Sequence, residues 1–357
     1  MYLGKKHITL AVVGAPLAAM FVAWIGFFNV GASSGHWAIT NWFLHFAMRQ
    51  AVSTYALPIE RPEVIDEALL VPAAGHFAQA CVMCHGAPGE SRSSTVLQML
   101  PRPPELAAVA DSWSDEELFR IVKHGIRFTG MPAWSTQTRD DEIWGMVSFL
   151  RKLPNLDEQG YAQLTQSRAV HDYAVASDAL ETALQRCASC HEADGSGRSS
   201  AVPVLGGQDE AYLLASLHAY AQADRASGIM QTAATLADVE LYQELAAYFA
   251  AQPGLGVAVD GQSATANEEL RAGQIIAEAG IPSADVPACL SCHGERRNPV
   301  FPVLDGQHRD YIVRQLELFA SGERGGTPYN HLMVQAVKGL NDDQRRAVAA
   351  YFEARGR

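Results

Sequence analysis

The chain has 357 residues, enough for two or three ordinary domains, and a 48% apolar content that lets each of them bury a core. With 27 Lys and Arg against 39 Asp and Glu, its formal charge of -12 excludes nucleic acid as a natural partner and favours basic protein surfaces.

The first predicted element is a membrane helix. Lys5 and Lys6 precede an uncharged stretch from Ile8 to Val30. That is about the 20 residues needed to cross a bilayer core, and longer than the roughly 7–15 apolar residues of a secretory leader. The next Lys or Arg is Arg49, so the positive-inside rule puts the N-terminus in the cytoplasm and the rest outside. The expected location is the periplasmic side of a bacterial inner membrane, single-pass, with the anchor over 1–35 and the lipid bilayer as a partner. Val30-Gly31-Ala32 also fits a leader cleavage site, while the length of the stretch favours a retained anchor. Pro16 is compatible with a kinked membrane helix.

Trp37, Trp42, Phe43, Phe46 and Met48 follow at near-helical spacing, with Thr40 as the expected N-cap. Aromatic residues at this depth sit at the headgroup level, which predicts an interfacial helix over 36–56 or a surface for another membrane subunit. Pro58 and Pro62 stop that helix and open a linker to residue 65. A polar, turn-rich linker is expected over 153–172, and a Gly- and Pro-containing one over 253–267. Three pieces remain, 66–155, 173–252 and 266–357.

Each piece holds one copy of a pentapeptide near its start: Cys81-Val82-Met83-Cys84-His85, Cys187-Ala188-Ser189-Cys190-His191 and Cys289-Leu290-Ser291-Cys292-His293. Together they use all six cysteines. Two thiols one helical turn apart can add to the vinyl groups on one edge of a porphyrin, and the adjacent histidine then faces the iron. The expected cofactors are three covalently bound haem c. A zinc site or a dithiol couple would also use CxxC. The histidine closing every copy and the lack of any spare cysteine favour haem.

The second axial ligand separates a carrier from an enzyme. In the first piece Gly130 and Pro132 flank Met131 and fix a close, extended approach to iron, whereas Met146 falls in a helical stretch and reads as core. Met230 and Met333 follow His191 and His293 at nearly equal spacing, and each is the only methionine after the motif in its piece. The expected metal ligands are thus His85 with Met131, His191 with Met230, and His293 with Met333. His331 competes in the third piece, while His124 and His218 read as surface or packing residues. A ligating histidine donates its other N–H, and the prolines after each motif are placed to offer a carbonyl: Pro101, Pro103 or Pro104, then Pro203, then Pro302.

Ser114 with Glu117 forms a capping box ahead of Leu118, Ile121 and Val122, and Asp140 to Lys152 closes the first piece as a helix. Pro203-Val204-Leu205-Gly206-Gly207-Gln208 returns as Pro302-Val303-Leu304-Asp305-Gly306-Gln307. Tyr212, Leu217 and Arg225 return as Tyr311, Leu316 and Arg324, which marks a duplication. No alternating stretch is long enough for a sheet core, so the expected class is all-α.

With these motifs each piece resembles a class I cytochrome c domain. The implied architecture is three class I cytochrome c domains in tandem after an N-terminal transmembrane helix. Residues 175–357 resemble the tandem di-haem cytochromes c of proteobacteria, which implies two helical lobes facing each other with closely spaced haems. The first piece resembles single-haem class I cytochromes with a G-M-P loop. His191-Glu192 departs from the frequent His-Gly. The resemblance implies an electron-transfer protein with redox partner proteins, foremost a terminal haem-copper oxidase and alternatively a periplasmic dehydrogenase. A haem enzyme would need a labile or non-methionine distal ligand, and no catalytic residue is expected.

Overall fold

The computed structural model describes residues 4–27, 29–31, 33–167, 177–254 and 264–356. Among them the regular structure is helical, with only two isolated bridges, Ala87 to Glu90 and Ile281 to Val286.

Helix α1 (Lys5–Trp24) contains Pro16, and its exposed face includes Leu17, Met20, Phe21 and Trp24. Helix α2 (Ala38–Ala56) stops one residue before Leu57-Pro58, as the proline requires. Its start corrects the expected cap. The residue before the helix is Trp37, which makes no side-chain cap bond, and Thr40 lies inside the first turn. Solvent can satisfy the free amides at such an exposed end. The N-terminal half of α2 exposes Trp37, Ile39, Trp42, Phe43 and Phe46, whereas Val52 and Ala56 are buried.

Buried apolar side chains gather into three clusters along the chain. The first is built on α3 (Leu70–His76), which passes through a wide π turn, Phe77–Cys81, into α4 (Val82–His85). Glu67–His85 has the length and apolarity of a membrane span. It is nonetheless a core element, since Ala73, Ala74 and Phe77 are buried and the Phe77 ring packs 5.1 Å from Phe149. Helix α5 (Asp115–His124) carries both bonds of the Ser114–Glu117 capping box, and α6 (Asp140–Lys152) has the predicted bounds. Met146 of α6 is buried in this core. Arg49 of α2 lies 4.2 Å from the Trp113 ring, and Ser53 donates to Glu117, so α2 is docked on the first unit.

The stretch after 153 is only partly a linker. Asp157 accepts from Gly160 N at 2.7 Å and starts α7 (Glu158–Thr165), whose Tyr161 and Leu164 pack on the first core. A cap and two apolar residues on one face outweigh the polar composition there. The remainder of that linker from residue 168, and residues 255–263 of the next, lie outside the described residues.

The second unit comprises α8 (Asp178–His191), α9 (Glu210–Ala221), α10 (Gly228–Thr235) and α11 (Tyr242–Ala250). The third repeats this order with α12 (Ala264–Ala279), α13 (Leu290–His293), α14 (Arg309–Ala320), α15 (Asn330–Val337) and α16 (Asp342–Ala354). One difference is local. Helix α8 runs straight into His191, while α12 ends at Ala279 and a separate turn presents Cys292 and His293.

The repeated glutamines join these two units. Gln208 Nε2 donates to Val303 O at 2.8 Å while Val303 N donates to Gln208 Oε1 at 2.9 Å. Gln307 makes the same pair with Val204, at 3.0 and 2.9 Å. Each side chain thus acts as one extra peptide group for a buried strip of the opposite unit.

Candidate haem sites

Each motif histidine bonds a proline carbonyl through one ring nitrogen. The Nδ1 to oxygen distances are 2.8 Å for His85 and Pro104, 3.1 Å for His191 and Pro203, and 3.0 Å for His293 and Pro302. A carbonyl only accepts, so Nδ1 holds the proton and Nε2 keeps its lone pair for a metal. Burial, opposed by the Pro203 bond, brings His191 down to about 4 and lowers His85 and His293 in the same way. All three rings are therefore neutral at pH 7, the form that ligates iron. Burial also pushes the Cys81 and Cys187 thiols up to about 12 and Cys289 to about 11. No group of three or more His, Cys, Asp or Glu side chains among the described residues can hold a metal ion.

The second and third units line one cavity of about 1170 Å³, with residues of the first unit completing its wall. Both of their CxxCH motifs line it, as do Met230 and Met333. These methionines sit in the first turns of α10 and α15 rather than on open loops. His331 is exposed and is not among the lining residues. His218 packs edge-on against Tyr242, and His124 ends α5.

Two buried arginines in this cavity test whether it suits haem. Arg225 donates to Tyr311 Oη at 2.8 Å, Ser216 Oγ at 3.2 Å and Gln315 Oε1 at 3.3 Å. Arg324 donates to Gln315 Oε1 at 2.6 Å, and its buried Nε has no hydrogen-bond partner. Both guanidiniums are thus buried among neutral groups, an arrangement that is costly without anions. Each haem brings two propionate carboxylates into an otherwise apolar pocket, so donor set, lining and charge all fit. Sequence comparison of the repeats shows Arg225 and Arg324 as equivalents but gives no sign of this role, because their burial side by side is tertiary.

In the first unit Met131 lies on the loop after α5. Gly125 ends that helix at φ 64, and a Cβ there would come within 2.5 Å of the Met131 and Pro132 carbonyls. Met131 N donates to Thr129 Oγ1 at 3.1 Å, and Ile126 N donates to Met131 O at 3.3 Å. Glycine is required where the chain turns back this tightly. The His191-Glu192 departure also has a structural counterpart. Glu192 takes φ 57, a left-handed conformation that glycine adopts at Gly86. Its carboxylate accepts from Ser167 Oγ at 2.6 Å and lies 3.4 Å from Arg198, contacts that hold the strained residue in place.

Residues 70–150 match the family described as cytochrome c oxidase, cbb3-type, subunit III. The chain is similar to a thiosulfate dehydrogenase electron acceptor from Stutzerimonas stutzeri (strain A1501), at 35% identity over 175 residues, 48% of this chain and 79% of that protein. It is 33% identical to cytochrome c4 of Thiocapsa roseopersicina over 172 residues, 47% of this chain and 85% of the relative. Among solved structures, cytochrome c4 of Acidithiobacillus ferrooxidans aligns with a TM-score of 0.42 at 34% identity, covering 47% of this chain and 98% of that one. With a third of positions shared over most of each relative's length, the chain belongs to the c4-type cytochromes c, haem c proteins that transfer electrons.

Proposed function

We propose that the chain is a membrane-anchored tri-haem electron carrier that links a respiratory donor to a terminal haem-copper oxidase on the periplasmic side of the inner membrane. The observation that carries this reading is the triple recurrence of a neutral CxxCH histidine held on a proline carbonyl. The proposed axial pairs are His85 with Met131, His191 with Met230, and His293 with Met333. Bound haem would supply one-electron chemistry at iron. The protein fixes each imidazole tautomer, would offer the Met131, Met230 and Met333 thioethers as further iron ligands, and would supply Arg225 and Arg324 as counter-charges in the shared cavity. With a histidine and a methionine both held by the protein, the iron would carry electrons rather than bind substrate, which favours a carrier or a non-catalytic subunit over an enzyme. The units are proposed as three cytochrome c domains, the first extended through α7. Helix α1 would hold them at the bilayer, with the exposed aromatic half of α2 at its surface.

The match of residues 70–150 to an oxidase subunit supports an oxidase as acceptor. A second reading is supported by the 35% identity to a thiosulfate dehydrogenase electron acceptor: the chain would take electrons from a periplasmic dehydrogenase. Mild detergent extraction followed by identification of co-purifying subunits and haem quantification tests both. Three haems per chain with a copper-containing oxidase are expected. A flavin-, quinone- or molybdenum-containing partner would favour the second reading, and a haem that readily binds cyanide in the ferric state would sink the carrier assignment.

A further inference from the structure

The helical segment that bears the first CxxCH is also a wall of the cavity beside the second. Pro72, His76 and Gln79 line that cavity, and their spacing puts them on one face of the segment that begins at Leu70. Cys81 and Cys84, on the same segment, belong to the first site. The approach is close. Gln79 Nε2 donates to Ser189 Oγ and to Arg186 O, each at 3.3 Å, and Ser189 lies inside the second motif. A Cβ on Gly75 would stand 2.6 Å from Cys190 Sγ, so only glycine lets the segment touch that thiol.

A buried clamp holds this contact. Glu142 of α6 is 3% exposed and accepts from Ser227 Oγ at 2.5 Å and Gly228 N at 2.7 Å, at the start of the helix that carries Met230. Arg139 beside it donates to Ala226 O at 3.1 Å. Trp134, from the Met131 loop, donates to the same Glu142 carboxylate at 3.3 Å, and its ring packs tilted against His76 with 4.4 Å between centroids.

We infer that residues 70–85 form the electron bridge between the first and second haem sites, with the Glu142–Ser227 clamp fixing its docking. This rests on the three-haem reading above. One electron leaves a ferrous iron on one side of the bridge, which becomes ferric, and reduces a ferric iron on the other. No bond forms or breaks, and no proton moves. From the first unit Gln79 and Gly75 reach Ser189 and Cys190 of the second motif, whereas the Asp141–Arg314 ion pair at 3.5 Å joins it to the third unit. Electrons therefore pass along the chain in the order first, second, third, or the reverse.

The test uses the full-length, detergent-solubilised holoprotein and its Gly75→Val, Gln79→Ala and Glu142→Gln variants. Haem content is measured first. Less than one electron per chain is then injected by photoreduction, and freeze-quench EPR follows redistribution among the three low-spin ferric signals. The expected result is three haems with unaltered resting signals in Gln79→Ala and Glu142→Gln, and exchange between the first and second sites slowed at least about tenfold in Gly75→Val, or about 1.4 kcal/mol of barrier. Smaller slowing is expected in the other two variants, with exchange between the second and third unchanged. Gly75→Val risks misfolding, so unaltered exchange in both Gln79→Ala and Glu142→Gln would by itself overturn the bridge. Fewer than three haems in the unmodified protein would overturn the three-haem reading and the bridge with it.

Discussion

Gln208 and Gln307 each satisfy the N–H and the C=O of one valine in the opposite unit, and their loss leaves both groups buried and unpaired. Each orphaned group costs about 1–3 kcal/mol. Gln208→Leu should therefore destabilise the contact between the second and third units by a few kcal/mol, read as a lower denaturation midpoint of the holoprotein. The titration of Asp141 sets a second residue-scale expectation. Burial raises its carboxyl, but the hydrogen bonds and charge of Arg139, with Arg314 nearby, outweigh that and hold it below the usual carboxylate range. A depressed folded value contributes stability that is present above the unfolded pKa of about 3.9 and is lost as pH falls through the folded one. Stability of the full chain should thus decline on acidification below about pH 4, and Asp141→Asn should flatten that decline. An unchanged profile in the variant would remove Asp141 from the acid response.

At the scale of single elements, local rules set α5 and α6 almost unaided. Ser114 and Glu117 close both bonds of the capping box, so Ser114→Ala should cost about 1 kcal/mol in chemical denaturation. Helix α7 shows where composition misleads. Its segment is polar enough to read as a connector, yet Asp157 caps it and Tyr161 and Leu164 find the first core. Helix α2 divides in two: a C-terminal half tied down by Arg49 on Trp113, and an N-terminal half whose aromatic side chains have no cover.

For the whole molecule, the expected roles of α1 and of the three units are separable. Removal of residues 1–35 should release the protein from membranes while leaving three haems per chain, checked by fractionation and haem quantification. Retention on the membrane would assign attachment to α2 or to a partner subunit. The acidic balance of the chain adds a kinetic expectation. Association with a basic redox partner should slow as ionic strength rises, because screening shortens the reach of the steering field.

The sequence by itself determined the chemistry and most of the helices. CxxCH specifies thiols and imidazole through spacing along one helix, and caps and prolines act over four or five residues, so both can be read without a fold. The duplicated Pro-Val-Leu-x-Gly-Gln phrase was likewise visible, and the proline carbonyls stand where stiff loops after each motif were expected to offer them. Tertiary structure alone decided what the repeated residues do. Gln208 meets Val303, Arg225 meets Tyr311, and Gly75 meets Cys190 across roughly a hundred residues of chain. Such contacts depend on how whole units dock, and a glycine or glutamine carries no local sign of the partner it will face.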